Sequence, residues 1–409
     1  MSRDLRDRLR DAPIPDEQGA RERGWRIVRA AYFERRPVTH PARIPVRLAI
    51  AAGLAAIILA VVLTPAGAKV VDFVRDVVRP SARQAKPLTS LPSSGALLVE
   101  SQQGPWVFHR DGSQRLLGDY KQASWSPNGI YVAVTGTNQL TAVEPDGTVH
   151  WSINRRHPTD PRWVPVTGYR VAYRAGSSMR VVGGDGLGDH LLDQKVAPTP
   201  PAWRPAQLPQ AKTGGGGRNV LALAKPDGSV RMVGANSGRV FWHTGSGPVP
   251  EVLDWSADSS WLVALSTREL RVFSALSGDL IRTFHLPAGM RATDGEFAPT
   301  GKSFAVTGTA RTPHGVQSKA LLIPIGAAQP KPRPLLTDPG TFSDVSWSPD
   351  GGWLLVAWRD ADSWLFLRPG HPGDVATAGE ISRQFNPGSM SDRGFPTPAG
   401  WCCTTGGAG

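Results

Sequence analysis

The sequence predicts an all-β protein, a seven-bladed β-propeller with four-stranded antiparallel blades, preceded by a single transmembrane helix. Three observations predict this fold class. An aromatic residue, a small residue, a polar or Gly turn and an apolar run recur in that order seven times, at intervals of 38 to 54 residues. A second Gly-containing turn between two more apolar runs follows each copy, as in "AVEPDGTVHW". Residues 48–68 form a 21-residue run without a charge.

The chain begins with an Arg-rich tail, residues 1–47, which carries 12 Arg. Trp25, Val28 and Tyr32 lie at helical spacing among these arginines, so we expect a partly helical segment that docks on anionic lipid or on a cytoplasmic protein. The alternative is a helix that is solvated and only weakly attracted to the membrane.

The apolar run 48–68 is long enough to span a membrane, because 21 helical residues at about 1.5 Å each cover a hydrocarbon core of about 30 Å. Residues 69–79 continue as a short juxtamembrane helix that Pro80 ends. Ala66-Gly67-Ala68 also fits a signal-peptidase site, but 47 residues before the apolar run are many for a secretory signal, which favours an uncleaved anchor.

The Arg-rich tail determines the expected orientation of the chain in the membrane. Residues 28–47 and 69–88 each hold five Lys or Arg, so the charges next to the membrane are balanced. A short basic tail usually stays inside while a long domain is translocated. We therefore expect a single-pass protein of the cell membrane with its N-terminus in the cytoplasm and its C-terminal domain outside.

Residues 80–94 have the Pro, Ser and Lys/Arg content of a flexible linker, and residues 95–403 form the predicted propeller. The recurring unit, called here the aromatic-turn motif, is clearest in "WSPNGIYVAV", "WSADSSWLVAL", "FAPTGKSFAVT" and "WSPDGGWLLVA". Pro and Gly favour the turn, and the β-branched and aromatic residues after it favour a buried strand. The seven anchors are Trp125, Trp163, Trp203, Trp255, Phe297, Trp347 and Trp401.

The mean interval of about 46 residues suits a four-stranded propeller blade. Residues 95–117 supply three strands without a motif in front, and the motif at Trp401 has no strands after it. Together they make one blade, so pairing of the N- and C-terminal strands closes the ring and removes an exposed sheet edge. Residues 404–409 are predicted to be a disordered tail.

The motif also explains Gly301-Lys302-Ser303, which resembles the end of a nucleotide-binding phosphate loop. That loop needs a glycine at the position of Glu296, where a carboxylate would repel phosphate. The same segment aligns with the other aromatic-turn motifs, so we interpret it as a turn.

"WSPDG" at Trp347 and "WSPNG" at Trp125 resemble the WD40-like (PD40) repeats of TolB-type propellers. The resemblance covers residues 95–403 in the spacing of the repeats. It implies a binding scaffold at the bacterial cell envelope, often for other proteins. This chain departs from TolB in its seven blades, its membrane anchor and the lack of a preceding α/β domain, so TolB's own partners do not carry over.

A partial second resemblance lies in Gly147 to Trp151 and Gly238 to Trp242, which are similar to the Gly-x-x-x-Trp of quinoprotein-type propeller repeats. In that family, which includes dehydrogenases and non-catalytic assembly factors, these tryptophans pack blades. Some of those dehydrogenases have a disulfide between adjacent cysteines. Here Cys402 and Cys403 are adjacent, and we expect two thiols because neighbouring Cα atoms lie closer than the usual disulfide range.

The pattern search assigns no catalytic, cofactor-binding or metal-ligating residue. The nine His show no zinc spacing, no Gly-x-Ser-x-Gly elbow occurs, and the basic residues are too dispersed to predict nucleic-acid binding. Asp254, Asp294 and Asp344 precede aromatic anchors by one to three positions. They are candidates for the central channel, and the alternative is that they cap turns or strand ends.

These observations favour a membrane-anchored, extracytoplasmic scaffold or sensor that binds a protein or envelope ligand on its propeller without catalysis. Regulation through the cytoplasmic tail, as in an anti-sigma protein, is a variant of this hypothesis. The alternative is a propeller enzyme, either a quinoprotein-like dehydrogenase or a hydrolase or lyase with its site in the central channel.

Overall fold

The computed structural model describes residues 86–403, except 166–168, 206–218, 328–330, 372 and 389–393. The chain divides into two compact units, Met1–Arg79 and Pro80–Gly409, and the described residues all belong to the second.

The predicted tail 1–47, membrane span 48–68, juxtamembrane helix 69–79 and C-terminal tail 404–409 lie outside the described residues. Within the described part of the chain, no helix is long and apolar enough to cross a membrane.

The described strands form seven four-stranded antiparallel sheets, which confirms the predicted seven-bladed propeller. Blade 1 contains β28, β1, β2 and β3, and blades 2 to 7 take the remaining strands in order, four per blade. Blades 1 to 4 comprise β1 Ala96–Ser101, β2 Gly104–His109, β3 Gln114–Leu116, β4 Gln122–Trp125, β5 Val132–Thr135, β6 Gln139–Val143, β7 Val149–Asn154, β8 Pro158–Trp163, β9 Arg170–Ala175, β10 Ser178–Gly183, β11 His190–Asp193, β12 Ala202–Trp203, β13 Val220–Ala224, β14 Val230–Gly234 and β15 Val240–His243, with β28 Thr397–Cys402 completing blade 1. Blades 5 to 7 comprise β16 Val252–Trp255, β17 Trp261–Leu265, β18 Glu269–Ser274, β19 Leu280–His285, β20 Met290–Phe297, β21 Ser303–Thr312, β22 Gly315–Pro324, β23 Arg333–Pro339, β24 Phe342–Trp347, β25 Leu354–Trp358, β26 Ser363–Leu367 and β27 Val375–Gly379. The described helices are a 3-10 helix, Arg359–Ala361, and α1, Ile381–Phe385.

The two ends of the propeller meet in blade 1, as predicted. The last strand, β28, pairs antiparallel with β1, placing Trp401 opposite Leu97 and Cys402 opposite Ala96. This pairing gives the last motif the partner strands that its own sequence lacks, and it leaves no open edge at the junction of the chain ends.

The apolar core lies between the blades. Seven clusters of buried side chains occur, one for each pair of neighbouring blades. Every residue of β13 and of β26 is buried, because both faces of a middle strand meet a neighbouring sheet. This two-sided burial explains why these strands are continuous apolar runs and do not alternate apolar with polar residues.

Three anchor tryptophans, Trp203, Trp255 and Trp347, connect adjacent blades through their indole N–H groups, whereas the indole nitrogens of Trp125 and Trp163 have no hydrogen-bond partner among the described residues. Trp203 donates to the carbonyl oxygen of Arg162 at 2.8 Å, and Trp255 donates to that of Ala202 at 2.9 Å. Each acceptor lies directly before the anchor of the preceding blade. In these blades the anchor tryptophan therefore adds a polar link to the apolar contact with the preceding blade.

The Gly301-Lys302-Ser303 segment forms the turn between β20 and β21. The amide of Gly301 donates to the carbonyl of Ala298 at 2.7 Å, and Gly301 has a left-handed φ of 68°. Lys302 is exposed, and Ser303 begins β21. The segment is therefore a strand-connecting turn, as the motif alignment predicts.

The tryptophans of the two Gly-x-x-x-Trp segments pack on the next blade. Trp151 donates its indole N–H to the carbonyl of Gly184 at 2.7 Å, and Trp242 donates to that of Ala275 at 3.1 Å. Gly278 in blade 5 lies under the Trp242 ring, where an added Cβ would be 2.6 Å from Cε3. These side chains therefore have the packing role that the second resemblance implies.

Gly278→Ala should lower the free energy of unfolding by about 3 kcal/mol, because its φ of 75° is left-handed and the new methyl group would overlap Trp242. Gly289→Ala is the matched control, since Gly289 has a φ of 77° and open space at the Cβ position. That control should cost about 1 kcal/mol. Denaturant titration of both variants checks this, and equal losses would show that Trp242 does not restrict the site.

Two regions differ from the sequence-based expectations. Residues 86–94 of the expected flexible linker are packed, since Leu88 and Leu91 are buried against blades 1 and 7 and the Leu88 amide donates to Gln384 Oε1 at 3.1 Å. Burial of the two leucine side chains holds residues 86–94 against the propeller. The Pro and Ser content of the segment gave no sign of this packing. Cys402 and Cys403, expected as thiols, are joined as a disulfide at the end of β28.

Candidate functional site

The central channel is the place where all seven blades come together. The first strand of each sheet, namely β28, β4, β8, β12, β16, β20 or β24, adjoins the first strands of both neighbouring sheets. These seven strands are called here the inner strands. They line the channel, so their side chains determine its chemistry.

Besides Asp160 on β8, which is buried and pairs with Arg174, five carboxyl groups gather around this channel. Four are on inner strands, and the fifth, Glu100, lies at the end of β1. All five are half-buried, because protein surrounds them while water still reaches part of each side chain. The four on inner strands are Asp254 on β16, Asp294 and Glu296 on β20, and Asp344 on β24.

Four of these carboxyls accept a hydrogen bond from a backbone amide of the next blade. Each carboxyl therefore holds a backbone amide that points away from that amide's own sheet, and it ties two neighbouring blades together. The bonds join Asp254 Oδ2 to Phe297 N at 2.8 Å, Asp294 Oδ2 to Val345 N at 3.0 Å, Glu296 Oε2 to Trp347 N at 2.9 Å and Glu100 Oε1 to Ala123 N at 2.8 Å.

The structure places the three predicted aspartates, Asp254, Asp294 and Asp344, on inner strands. Asp254 and Asp294 bond to the next blade, which distinguishes them from the turn caps considered as the alternative. Asp344 Oδ2 is inaccessible to water and has no hydrogen-bond partner among the described residues. The three side chains thus share a location but not a bonding pattern.

Arg162 on β8 is the residue that the pattern search missed. Its Nη1 donates to the carbonyl of Pro161 at 3.0 Å, and no carboxylate within the described chain lies at ion-pair distance. It directly precedes the anchor Trp163, as Asp254 precedes Trp255 and Glu296 precedes Phe297. Aligning that position across all seven motifs would have found it.

The channel raises the pKa of its carboxyls, mainly through burial. Burial raises the pKa of Asp254 to about 6 and that of Glu100 to about 7. For Asp294, burial and then repulsion by Asp344 raise the pKa to about 7. Burial, followed by repulsion from Asp254, holds the pKa of Glu296 well above its usual range.

The positive charge of Arg162 opposes these shifts. It lowers the pKa of Glu100, Asp254, Asp294 and Glu296, which come from blades 1, 5 and 6. One guanidinium thus acts as a shared counter-ion for carboxyls on several blades. The channel can therefore bind and release protons near neutral pH while its amide bonds hold the inner strands together.

The free energy of unfolding should rise by about 2 kcal/mol when the pH falls from 8 to 5. The folded pKa values of Glu100, Asp254 and Asp294 exceed the unfolded ones, so the folded state retains protons that the unfolded chain releases. The stabilisation is thus present at pH 5 and lost as the pH rises through 6 to 7. Water in the channel keeps the sum below that of the separate shifts.

Urea titration of the protein at pH 5, 6, 7 and 8 and constant ionic strength measures this dependence. Asp254→Asn is the control, since it keeps an oxygen for the Phe297 amide but cannot ionise, and it should reduce the pH dependence without abolishing it, because Glu100 and Asp294 still titrate. Stability that is constant or rises towards pH 8 would contradict the assigned pKa directions.

The described residues contain no group of three or more His, Cys, Asp or Glu side chains arranged to hold a metal ion. The four amide-bonded carboxyls have a structural role instead, since each accepts a hydrogen bond from a backbone amide of a neighbouring blade.

No family model matches the chain, and no curated protein sequence does so either. Solved structures with a similar fold include Kuenenia stuttgartiensis hydrazine synthase, at 16% identity and a TM-score of 0.46, covering 60% of this chain and 76% of that chain. The β-propeller domain of Cps50 (Swd1) from Myceliophteria_thermophila matches at 11% identity and a TM-score of 0.47, covering 62% and 84%. A chain of a mitotic checkpoint complex matches at 16% identity and a TM-score of 0.49, covering 71% and 94%. Likenesses at this level assign no activity or partner to the present chain.

The blade count, the ring closure and the channel come from the strand pairing of this chain itself. They define the described part of the protein as a closed, seven-bladed β-propeller.

Proposed function

We propose that the protein is a membrane-anchored, TolB-like (PD40) binding scaffold, which displays its propeller outside the cytoplasm and acts without catalysis. The observation that carries the scaffold role is the engagement of the channel carboxyls. Glu100, Asp254, Asp294 and Glu296 each hold a backbone amide of the next blade, so their chemistry serves the rigidity of the ring. A rigid ring presents its loops in a fixed arrangement, which favours recognition of a protein or envelope ligand.

The anchor rests on the uncharged run 48–68, and the orientation rests on the 12 Arg of the preceding tail. In this proposal residues 1–47 remain in the cytoplasm, where they contact anionic lipid or a cytoplasmic protein. A regulatory role of the anti-sigma type would depend on the contact between the tail and a cytoplasmic protein. Such a role predicts that residues 1–47 alone capture that protein.

Membrane retention tests the anchor directly. The full chain should stay in the membrane fraction after an alkaline carbonate wash, because a spanning helix is held by the hydrocarbon core and not by surface charge. A variant with residues 48–68 replaced by a Gly/Ser sequence of equal length keeps the Arg-rich tail and is the matched control. Release of the full chain by the wash, or retention of the control, would contradict the anchor.

A further inference from the structure

Blade 6 extends beyond the other blades at one face of the ring. Its inner strand β20 has eight residues where β16 of blade 5 has four, and both strands end at their aromatic anchors. Strands β21 and β22 have ten residues each. At about 3.3 Å per residue, β20 is longer than β16 by about 13 Å and longer than the six-residue β24 of blade 7 by about 7 Å. Residues 290–293, 307–319 and 336–340 are called here the blade 6 extension.

The extension is a sheet and not a loose loop. At its base all four strands are still paired, with Met290 opposite Ala310 and Gln317 opposite Pro339. Beyond that level only the hairpin of residues 311–316 continues, with Arg311 opposite Val316. Its side chains are therefore presented from a rigid, protruding ribbon.

The exposed surface of blade 6 is cationic. None of its three acidic residues is exposed, since Asp294 and Glu296 lie at the channel and Asp338 is buried on the blade 7 side, where it pairs with Ser318. No described acidic residue of this blade is exposed. Its basic residues are Arg291, Lys302, Arg311, Lys319, Lys331 and Arg333.

Strand alternation separates the two flanks of the extension. Phe304 and Val306 of β21 pack towards blade 5, whereas Ala305 packs towards blade 7. With a period of two, Arg311 and its partner Val316 lie on the blade 7 side. Arg291 lies on the same side, because it pairs with Thr309.

A third exposed arginine extends this flank. Arg359 lies on the blade 7 hairpin, where its amide donates to the carbonyl of Thr341 at 3.0 Å, next to the end of the extension. Arg291, Arg311 and Arg359 form no ion pair with any described carboxylate. The acidic residues described at this flank are the exposed Asp360 and the buried Asp338, so three guanidinium groups face two carboxylates and positive charge is in excess.

We propose that this flank, formed by Arg291, Arg311, Val316 and Arg359, docks an acidic, extended peptide segment of a partner protein. Carboxylates of such a segment would pair with the three guanidinium groups, and Val316, which is 40% exposed, offers an apolar contact. The proposal rests on the scaffold function proposed above and specifies where that scaffold binds.

The position of the arginines favours a peptide over a lipid surface. They lie along the side of the extension, whereas the tip, residues 312–315, holds no Lys or Arg. A flat bilayer would reach the tip first and leave the flank uncovered. A peptide can lie beside the extension and meet all three arginines.

The test measures binding of a fluorescein-labelled Glu-rich peptide to the full chain in neutral detergent by fluorescence anisotropy. The triple variant Arg291→Gln, Arg311→Gln and Arg359→Gln should bind about tenfold more weakly and with a shallower salt dependence. The control variant removes the same charge elsewhere, through Arg110→Gln, Arg115→Gln and Arg156→Gln, and should change affinity less than about twofold. The Arg-rich tail is identical in all three proteins.

Equal weakening in both variants would overturn the proposal, since binding would then follow net charge. Vesicles of phosphatidylglycerol are the second probe, and loss of vesicle binding in the triple variant with unchanged peptide binding would overturn it in favour of lipid. Neither result affects membrane retention of the full chain, so failure of this site and failure of the scaffold function remain distinguishable.

Discussion

Replacing Asp189 by alanine is expected to lower the free energy of unfolding by about 3 kcal/mol, because the change leaves two partly exposed guanidinium groups and the Tyr173 hydroxyl without their shared partner. Asp189 pairs with Arg155 and Arg180 and accepts a hydrogen bond from the hydroxyl of Tyr173 at 2.8 Å. Burial raises the pKa of Asp189, but hydrogen bonds from Arg180, Tyr173 and Arg155 outweigh burial and hold it below its usual value. The cluster links the end of blade 2 to blade 3.

Asp374→Ala is the matched control for this prediction. Its carboxylate pairs with Arg368 at 3.2 Å, but both side chains are more than two-fifths exposed. An exposed pair of this kind is worth at most about 1 kcal/mol. Denaturant titration of both variants compares the two sites, and a loss at Asp189 no larger than at Asp374 would show that the blade 2 to blade 3 cluster is not structurally important.

Trp364→Ala is expected to cost about 3–5 kcal/mol, because it empties a large volume at the seam where the ring closes. Trp364 on β26 is fully buried in the cluster that joins blade 7 to blade 1, and its ring centre lies 5.3 Å from that of Phe385. The cavity would lie among Leu97 and Phe108 of blade 1, next to the strand pair that closes the ring. Thermal unfolding followed by tryptophan fluorescence or circular dichroism measures the loss.

Trp364→Phe separates ring packing from the indole nitrogen. Trp364 Nε1 is buried and has no hydrogen-bond partner among the described residues. Phenylalanine has no such N–H group, so the substitution eliminates an unsatisfied donor and keeps most of the aromatic contact. This variant should lose less than about 1.5 kcal/mol. If it loses as much as Trp364→Ala, the indole itself and not the filled volume stabilises the seam.

The fold was predictable because each blade repeats a local signal. A motif such as "WSPDG" specifies a turn and the strand after it without reference to the rest of the chain. Seven copies then determine the blade number, and the unmatched strands at the two ends determine the closure. The packing of Leu88 and Leu91 was not predictable, because it depends on a groove that exists only once blades 1 and 7 are assembled.

The channel was predictable only in part. Asp254, Asp294 and Asp344 could be singled out because they stand at related positions before an anchor. Arg162 stands at the same position as Asp254, but its chemical type differs, and a search for like residues passed over it. The Asp189 cluster has no local signature, since Arg155, Tyr173 and Arg180 come from different strands.

The blade 6 extension shows a further limit of sequence reading. The six basic residues of blade 6 are dispersed in the sequence, so they give no charge run. Only the pairing of β20 to β23 reveals that Arg291 and Arg311 lie on one flank, where Asp338 is buried beside them. The surface is therefore a product of strand register.

We propose that a membrane anchor displays the propeller outside the cytoplasm. The most direct test of this proposal places one epitope before Met1 and another after Gly409. External protease is added to spheroplasts whose membrane remains sealed. We expect loss of the C-terminal epitope and protection of the N-terminal one. Protection of the C-terminal epitope, with a cytoplasmic control protein intact and an external control digested, would contradict the account and place the propeller in the cytoplasm.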